Sequence, residues 1–80
     1  MEAFDVVLQG GVTYTIFVDP FQVGVDFDLG VLDENGNLVA QDTSTAPNAV
    51  CCVTPRWTGP FRLVVKSARG LSNYQIRVVP

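Results

Sequence analysis

Asp26 and Asp28 stand two residues apart where apolar residues alternate, so in an extended chain both carboxylates leave one face, about 7 Å apart at Cα. Asp33, Glu34 and Asn35 follow in a polar turn, and Asp42 comes after the next short apolar segment. Oxygen groups of this kind suit a hard cation such as calcium, which gathers about six to eight of them. The spacing departs from an EF-hand loop: in Asp33-x-Asn35-Gly36 the glycine arrives two positions early, and residue 44 is a serine. Asp26, Asp28 and Asp33 are therefore the candidate metal ligands. The alternative is that these acids keep a strand face and a turn in water.

Cys51 and Cys52 are adjacent, and extended geometry sends their side chains to opposite faces. A trans peptide holds neighbouring Cα atoms about 3.8 Å apart, short of the roughly 4.4 to 6.8 Å that a disulfide spans, so a bridge between them requires strain. One buried thiol and one on the far face is the plain reading; an intermolecular disulfide or a redox site is the other. Cys51 shares its face with Ala49 and Val53, whereas Cys52 shares its face with Val50 and Thr54, so Cys51 is the candidate for the core. The chain has no histidine. Neither the cysteines nor Ser44, Ser67 and Ser72 can thus have an imidazole base, and zinc within one chain lacks ligands. No enzymatic activity is expected.

Arg56 and Trp57 are pinned between Pro55 and Thr58-Gly59-Pro60, which places a large aromatic and a guanidinium together in a turn. Exposed aromatics beside arginine are enriched at recognition hot spots, which makes these two residues the candidate binding site. Trp57 folded back as a lid over one end of the domain is the competing placement.

The elements that carry these residues read as strands. Apolar residues recur with period two from end to end, and no stretch holds a helical spacing long enough for a helix. Phe4, Val6 and Leu8 alternate up to a turn at Gly10-Gly11. A second strand begins at Val12, carries Tyr14, Ile16 and Val18 on one face, and ends at Asp19-Pro20. Val25, Phe27, Leu29 and Val31 form the clearest apolar stripe, opposed by Asp26, Asp28 and Gly30. It leads to Asn35-Gly36, a hairpin signal because both residue types tolerate positive φ. Leu38 to Ala40 returns, residues 41–48 read as a surface loop, and Ala49 to Thr54 is the next strand. Phe61, Leu63 and Val65 alternate with Arg62, Val64 and Lys66; residues 68–72 form a loop; Tyr74, Ile76 and Val78 close the set. Phe17, Val39 and Val64 fall opposite the core sides. Seven to eight short strands separated by turns predict one antiparallel β-sandwich over residues 1–80.

Composition narrows the function. Hydrophobic residues at 48% and charged residues at 16% describe a folded domain, yet no apolar run reaches the roughly 20 residues that span a bilayer. Eight acids against five bases, a net charge of -3, disfavour nucleic acid, whose phosphates call for clustered Lys and Arg. Membranes and nucleic acid are not expected partners. Glu2 and Asp5 stand where a signal peptide carries positive charge, so the opening residues do not read as a targeting segment.

Four segments together resemble a known family. They are Gly11-Val12-Thr13-Tyr14-Thr15-Ile16, the run from Val25 through Asp33-Glu34-Asn35-Gly36-Asn37 to Ala40, Gly59-Pro60-Phe61-Arg62-Leu63-Val64-Val65, and Tyr74-Gln75-Ile76-Arg77-Val78. In content and order they are similar to the bacterial pre-peptidase C-terminal domain, a jelly-roll-like β-sandwich appended to secreted peptidases. Cys51-Cys52 and Arg56-Trp57 depart from that pattern. The resemblance implies an extracellular, non-catalytic accessory module, in collagenase relatives calcium-responsive and collagen-binding, that contacts protein or polysaccharide. The competing expectation is a structural protein that assembles with itself, as a homo-oligomer or filament subunit, through edge strands or an apolar face.

Overall fold

The computed structural model describes residues 1–43, 48–70 and 73–80, with the side chains of residues 68 and 69 not described. Seven strands and no helix make up the described residues: β1 Glu2–Leu8, β2 Tyr14–Pro20, β3 Asp26–Leu32, β4 Leu38–Asp42, β5 Ala49–Val53, β6 Gly59–Arg69 and β7 Tyr74–Val79. They pair antiparallel in two sheets, β1-β6-β3-β4 and β5-β2-β7. Of the connections between these strands, β3 to β4 alone stays within one sheet; every other one crosses to the opposite sheet, the winding a jelly roll uses. The chain is an antiparallel β-sandwich.

The alternation sorts residues as the sequence predicts. Val25, Phe27, Leu29 and Val31 are buried, while Asp26, Asp28 and Gly30 on the opposite face are half-buried. Phe61, Leu63 and Val65 supply the same inner face from β6, and Ile16 and Val18 of β2 with Ala49, Cys51 and Val53 of β5 meet them from the other sheet. A one-residue slip of β3 would exchange its apolar stripe for two carboxylates, so burial itself enforces the register.

Some boundaries differ from the sequence reading. β2 starts at Tyr14, because Val12 is held in the preceding turn by its N–H on the Gln9 carbonyl. It runs on through Asp19 and Pro20, which pair with Gln75 and Tyr74 of β7. Proline is tolerated there because pairing with β5 has already ended at Val18, so no partner awaits the missing N–H on that side. β6 begins at Gly59 and absorbs Pro60, opposite Val7, and it reaches Arg69, beyond the predicted start of the last loop. Residues 44–47 and 71–72 of the two predicted loops, Ser44 and Ser72 included, lie outside the described residues.

Phe27 reads out the core directly, since it is 4% exposed and its ring sits 5.1 Å from that of Tyr74 across the two sheets. Phe27→Ala is expected to cost about 3 to 5 kcal/mol, comparable with the roughly 4 to 12 kcal/mol available to a domain of this length. Urea unfolding followed by far-ultraviolet circular dichroism checks it; an unchanged midpoint would contradict the placement of Phe27 in the core.

Candidate functional site

The turn carrying Arg56 and Trp57 follows β5 and is fastened to the β1–β2 turn. The Gly11 N–H donates to the Pro55 carbonyl at 2.8 Å, and the Gly10 N–H to Thr58 Oγ1 at 2.9 Å. Of the Gly10-Gly11 pair only Gly11 takes positive φ, at 82°; glycine is needed at position 10 for contact, since a Cβ there would lie 2.8 Å from the Trp57 backbone. The indole rests over Gly59 and stacks on Phe61, with ring centroids 6.2 Å apart and planes 29° from parallel. Trp57 is thus neither a buried lid nor a free side chain. It is 38% exposed and braced from beneath.

That bracing forms one wall of a groove of about 460 Å³, lined also by Val39, Val53, Pro55, Cys52 and Arg56. Its shape follows from the edges of the two sheets. β4 and β5 are joined near residue 42, where the Val50 N–H donates to Asp42 Oδ2 at 2.8 Å, and the groove lies toward their other ends, at Val39 and Thr54. Arg56 is exposed and makes no ion pair among the described residues, whereas Arg62 pairs with Asp5 and Arg77 with Asp19. A second groove of about 310 Å³, bounded by Asp5, Glu34, Pro60 and Arg62, shares Asp33 and Phe61 with the first.

The structure separates the acids that the sequence grouped. Asp26 and Asp28 do leave one face of β3, but the register sets Asp26 opposite Arg69 and Asp28 opposite Lys66. The Oδ1 of Asp26 is shut from water with no hydrogen-bond partner among the described residues. Asp33, five positions beyond Asp28, is carried about 16 Å along the strand direction, too far to share an ion whose oxygens sit at about 2.3 to 2.6 Å. Among the described residues, no three acidic or thiol side chains converge on a point that could hold a metal.

Asp33 has another occupation. Its Oδ1 accepts the Asn35 and Asn37 N–H groups at 2.9 Å each, its Oδ2 accepts from Asn37 Nδ2 at 3.2 Å, and its own N–H donates to the Asn37 carbonyl. The connection is therefore a five-residue turn organised by a carboxylate and not a two-residue hairpin. Gly36 alone takes positive φ, at 84°, and Asn35 does not. An aspartate before Asn-x-Asn is the signal that points to this role, because Asx side chains satisfy backbone donors one turn on. The Asn37 N–H is the chief reason the Asp33 carboxyl lies below its ordinary value, ahead of a partial desolvation that acts the other way.

Cys51 is buried and Cys52 exposed, both as free thiols. Burial, reinforced by the charge of Asp42, pushes the Cys51 thiol up to about 11, so it stays protonated near neutral pH and directs its S–H at the Leu29 carbonyl at 3.8 Å. Cys52 faces out beside Thr15 and lines the groove. No family model, curated protein or solved structure matches this chain. Its chemistry rests on the residues themselves. The groove brings Arg56 and Trp57 together with Phe61 and Val39, and Gly10 packs against the Trp57 backbone behind it; the sequence did not show these parts in the site.

Two measurements follow. A thiol reagent applied to the native, reduced protein is expected to modify Cys52 rapidly and Cys51 only once denaturant is added, as mapped by peptide mass; equal rates at both would contradict the burial. For Asp33 the folded carboxyl titrates below the unfolded one, so its stabilisation is whole above about pH 4 and drains away as pH falls through the lowered value. Asp33→Asn is expected to flatten that acid loss while lowering the urea midpoint at pH 7. Parallel pH profiles for the two proteins would remove Asp33 from this role.

Proposed function

We propose that this chain is a non-catalytic binding module that accompanies a larger protein outside the cell, as the likeness to pre-peptidase C-terminal domains implies, and that it engages protein or polysaccharide at the Trp57 groove. The observation that carries the reading is the union of Arg56 and Trp57 in one braced groove. Side chains lost in solvent must be ordered before they bind, whereas an indole already stacked on Phe61 and seated on Gly59 loses little freedom on contact. No catalytic step is assigned. The chain lacks histidine, the Cys51 thiol is held protonated, and the Asp33 carboxylate is consumed by its own turn.

A second reading, assembly with copies of itself, draws on the opposite side of the sandwich. There β1 and β7 are both edge strands, bridged by the Tyr74 hydroxyl donating to the Glu2 carboxylate and by the Phe4 and Tyr74 rings 6.5 Å apart. The inward face is incompletely covered: Phe4 is 38% exposed, and Val6, Ile76 and Val78 are half-buried. Unpaired edges with apolar residues at hand invite another strand.

One set of measurements separates the two. Light scattering after size exclusion is expected to give a monomer, and sedimentation with fibrillar collagen, cellulose and chitin is expected to retain the chain on at least one polymer. Trp57→Ala should weaken that retention by about tenfold or more without changing the circular dichroism, as befits an aromatic anchor. Gly10→Ala, which displaces the Trp57 turn, should do the same. A stable oligomer that dissociates on Phe4→Lys, with retention indifferent to Trp57, would favour the second reading instead.

A further inference from the structure

β5 is the edge of its sheet and pairs with β2 alone. The Val50 N–H turns away from β2, since it donates to Asp42 Oδ2. Backbone groups alternate in direction along a strand, so Cys52, two residues on, aims its N–H and C=O toward the same open side. No backbone partner meets them there among the described residues. Beside them runs the groove, with Cys52, Val53 and Thr54 on one wall, Val39 of β4 on the other, and Trp57, Pro55 and Arg56 at its end.

The geometry points to an added strand: a short extended segment of a partner protein, laid along the free edge of β5 and bonded to the Cys52 backbone. It sets an apolar side chain against Trp57 and Pro55 and one carboxylate at Arg56. The inference rests on the Trp57 groove as the contact site and names what enters it.

The polar inventory selects a peptide over a sugar chain. The Asp33 carboxylate already accepts three hydrogen bonds, and the Thr54 hydroxyl is engaged with that of Thr13 at 2.8 Å. Arg56 is the one charged group of the groove without a partner among the described residues, so the many hydroxyls of a polysaccharide would be desolvated with little to meet them. A peptide strand brings an N–H and a C=O that match those of Cys52, and its alternating side chains suit an apolar wall. The charge balance limits the acid to a single residue. Arg56 attracts one carboxylate, but Asp33, Glu34 and a net charge of -3 repel an acidic run.

Four capped heptapeptides test this on the intact, reduced chain by titration in heteronuclear NMR. The first alternates threonine and valine around a central leucine with one aspartate two positions later, and the second has lysine in place of that aspartate. The third and fourth are the aspartate peptide N-methylated on one or the other set of alternate amides. The aspartate peptide is expected to shift the Cys52 and Thr54 amides, to slow exchange of the Cys52 N–H, and to bind about tenfold more tightly than the lysine peptide. Arg56→Glu, at an exposed position that leaves the spectrum dispersed, should reverse the preference. At least one N-methylated peptide must lose binding. Binding indifferent to both methylation patterns, or no binding by any peptide, would overturn the added strand. Trp57-dependent retention on cellulose or chitin in that event would leave the binding-module reading standing.

Discussion

The β3–β6 ladder is the contact on which the rest of the molecule hangs. Phe27, Leu29 and Val31 lie beside Ser67, Val65 and Leu63 across it, and the inner face of both strands is the floor of the core. Each fully buried Leu, Val or Phe contributes about 1.5 to 3 kcal/mol, whereas an exposed ion pair such as Arg62 with Asp5 contributes at most about 1 kcal/mol. Apolar burial thus decides the register, and the charges follow it. β1 and β4 extend this ladder on either side, while Ile16 and Val18 press down from the facing sheet.

The two long sides of the sandwich are finished differently, and the difference shapes what the surface can bind. On one side β4 and β5 are held together by Asp42, whose carboxylate caps an edge N–H of β5 and so blocks pairing at that point. Beyond the cap lies the groove, with β5 backbone still open at Cys52. On the other side β1 and β7 stay apart, spanned by side chains alone. A small domain buries a limited share of its surface, and part of the shortfall lies along that seam and in the groove, while Val7, Phe21 and Val23 are exposed elsewhere.

Several groups that look chemically capable are spent on structure. Cys51 behaves as a small apolar residue under a raised pKa, and Asp33 replaces the backbone bonds that its turn lacks. Asp19 takes a hydrogen bond from Arg77, which also lies 4.4 Å over the Phe17 ring, so an apolar residue on the outer face of β2 is partly covered by a cation. Arg56 escapes such employment. Its turn is held by backbone and by Thr58, which leaves the guanidinium free to meet a ligand.

Period-two alternation is a local property, so the sequence by itself determined which segments are strands, which face of β3 is buried, and that Cys51 and not Cys52 enters the core. Each follows from the side-chain direction set by the residue before and after. Asp33 was legible as a turn residue but not as its organiser, because the bonds it accepts depend on how the chain closes at Asn37. Tertiary structure alone decided that β1 lies beside β6, that Asp28 faces Lys66, and that Gly10 carries the Trp57 backbone. The turn that walls the groove is held by a hydrogen bond between residues 48 positions apart, Gly10 and Thr58. No pattern within a strand encodes such a contact; it forms only when burial of the whole core brings the two turns to the same end of the sandwich.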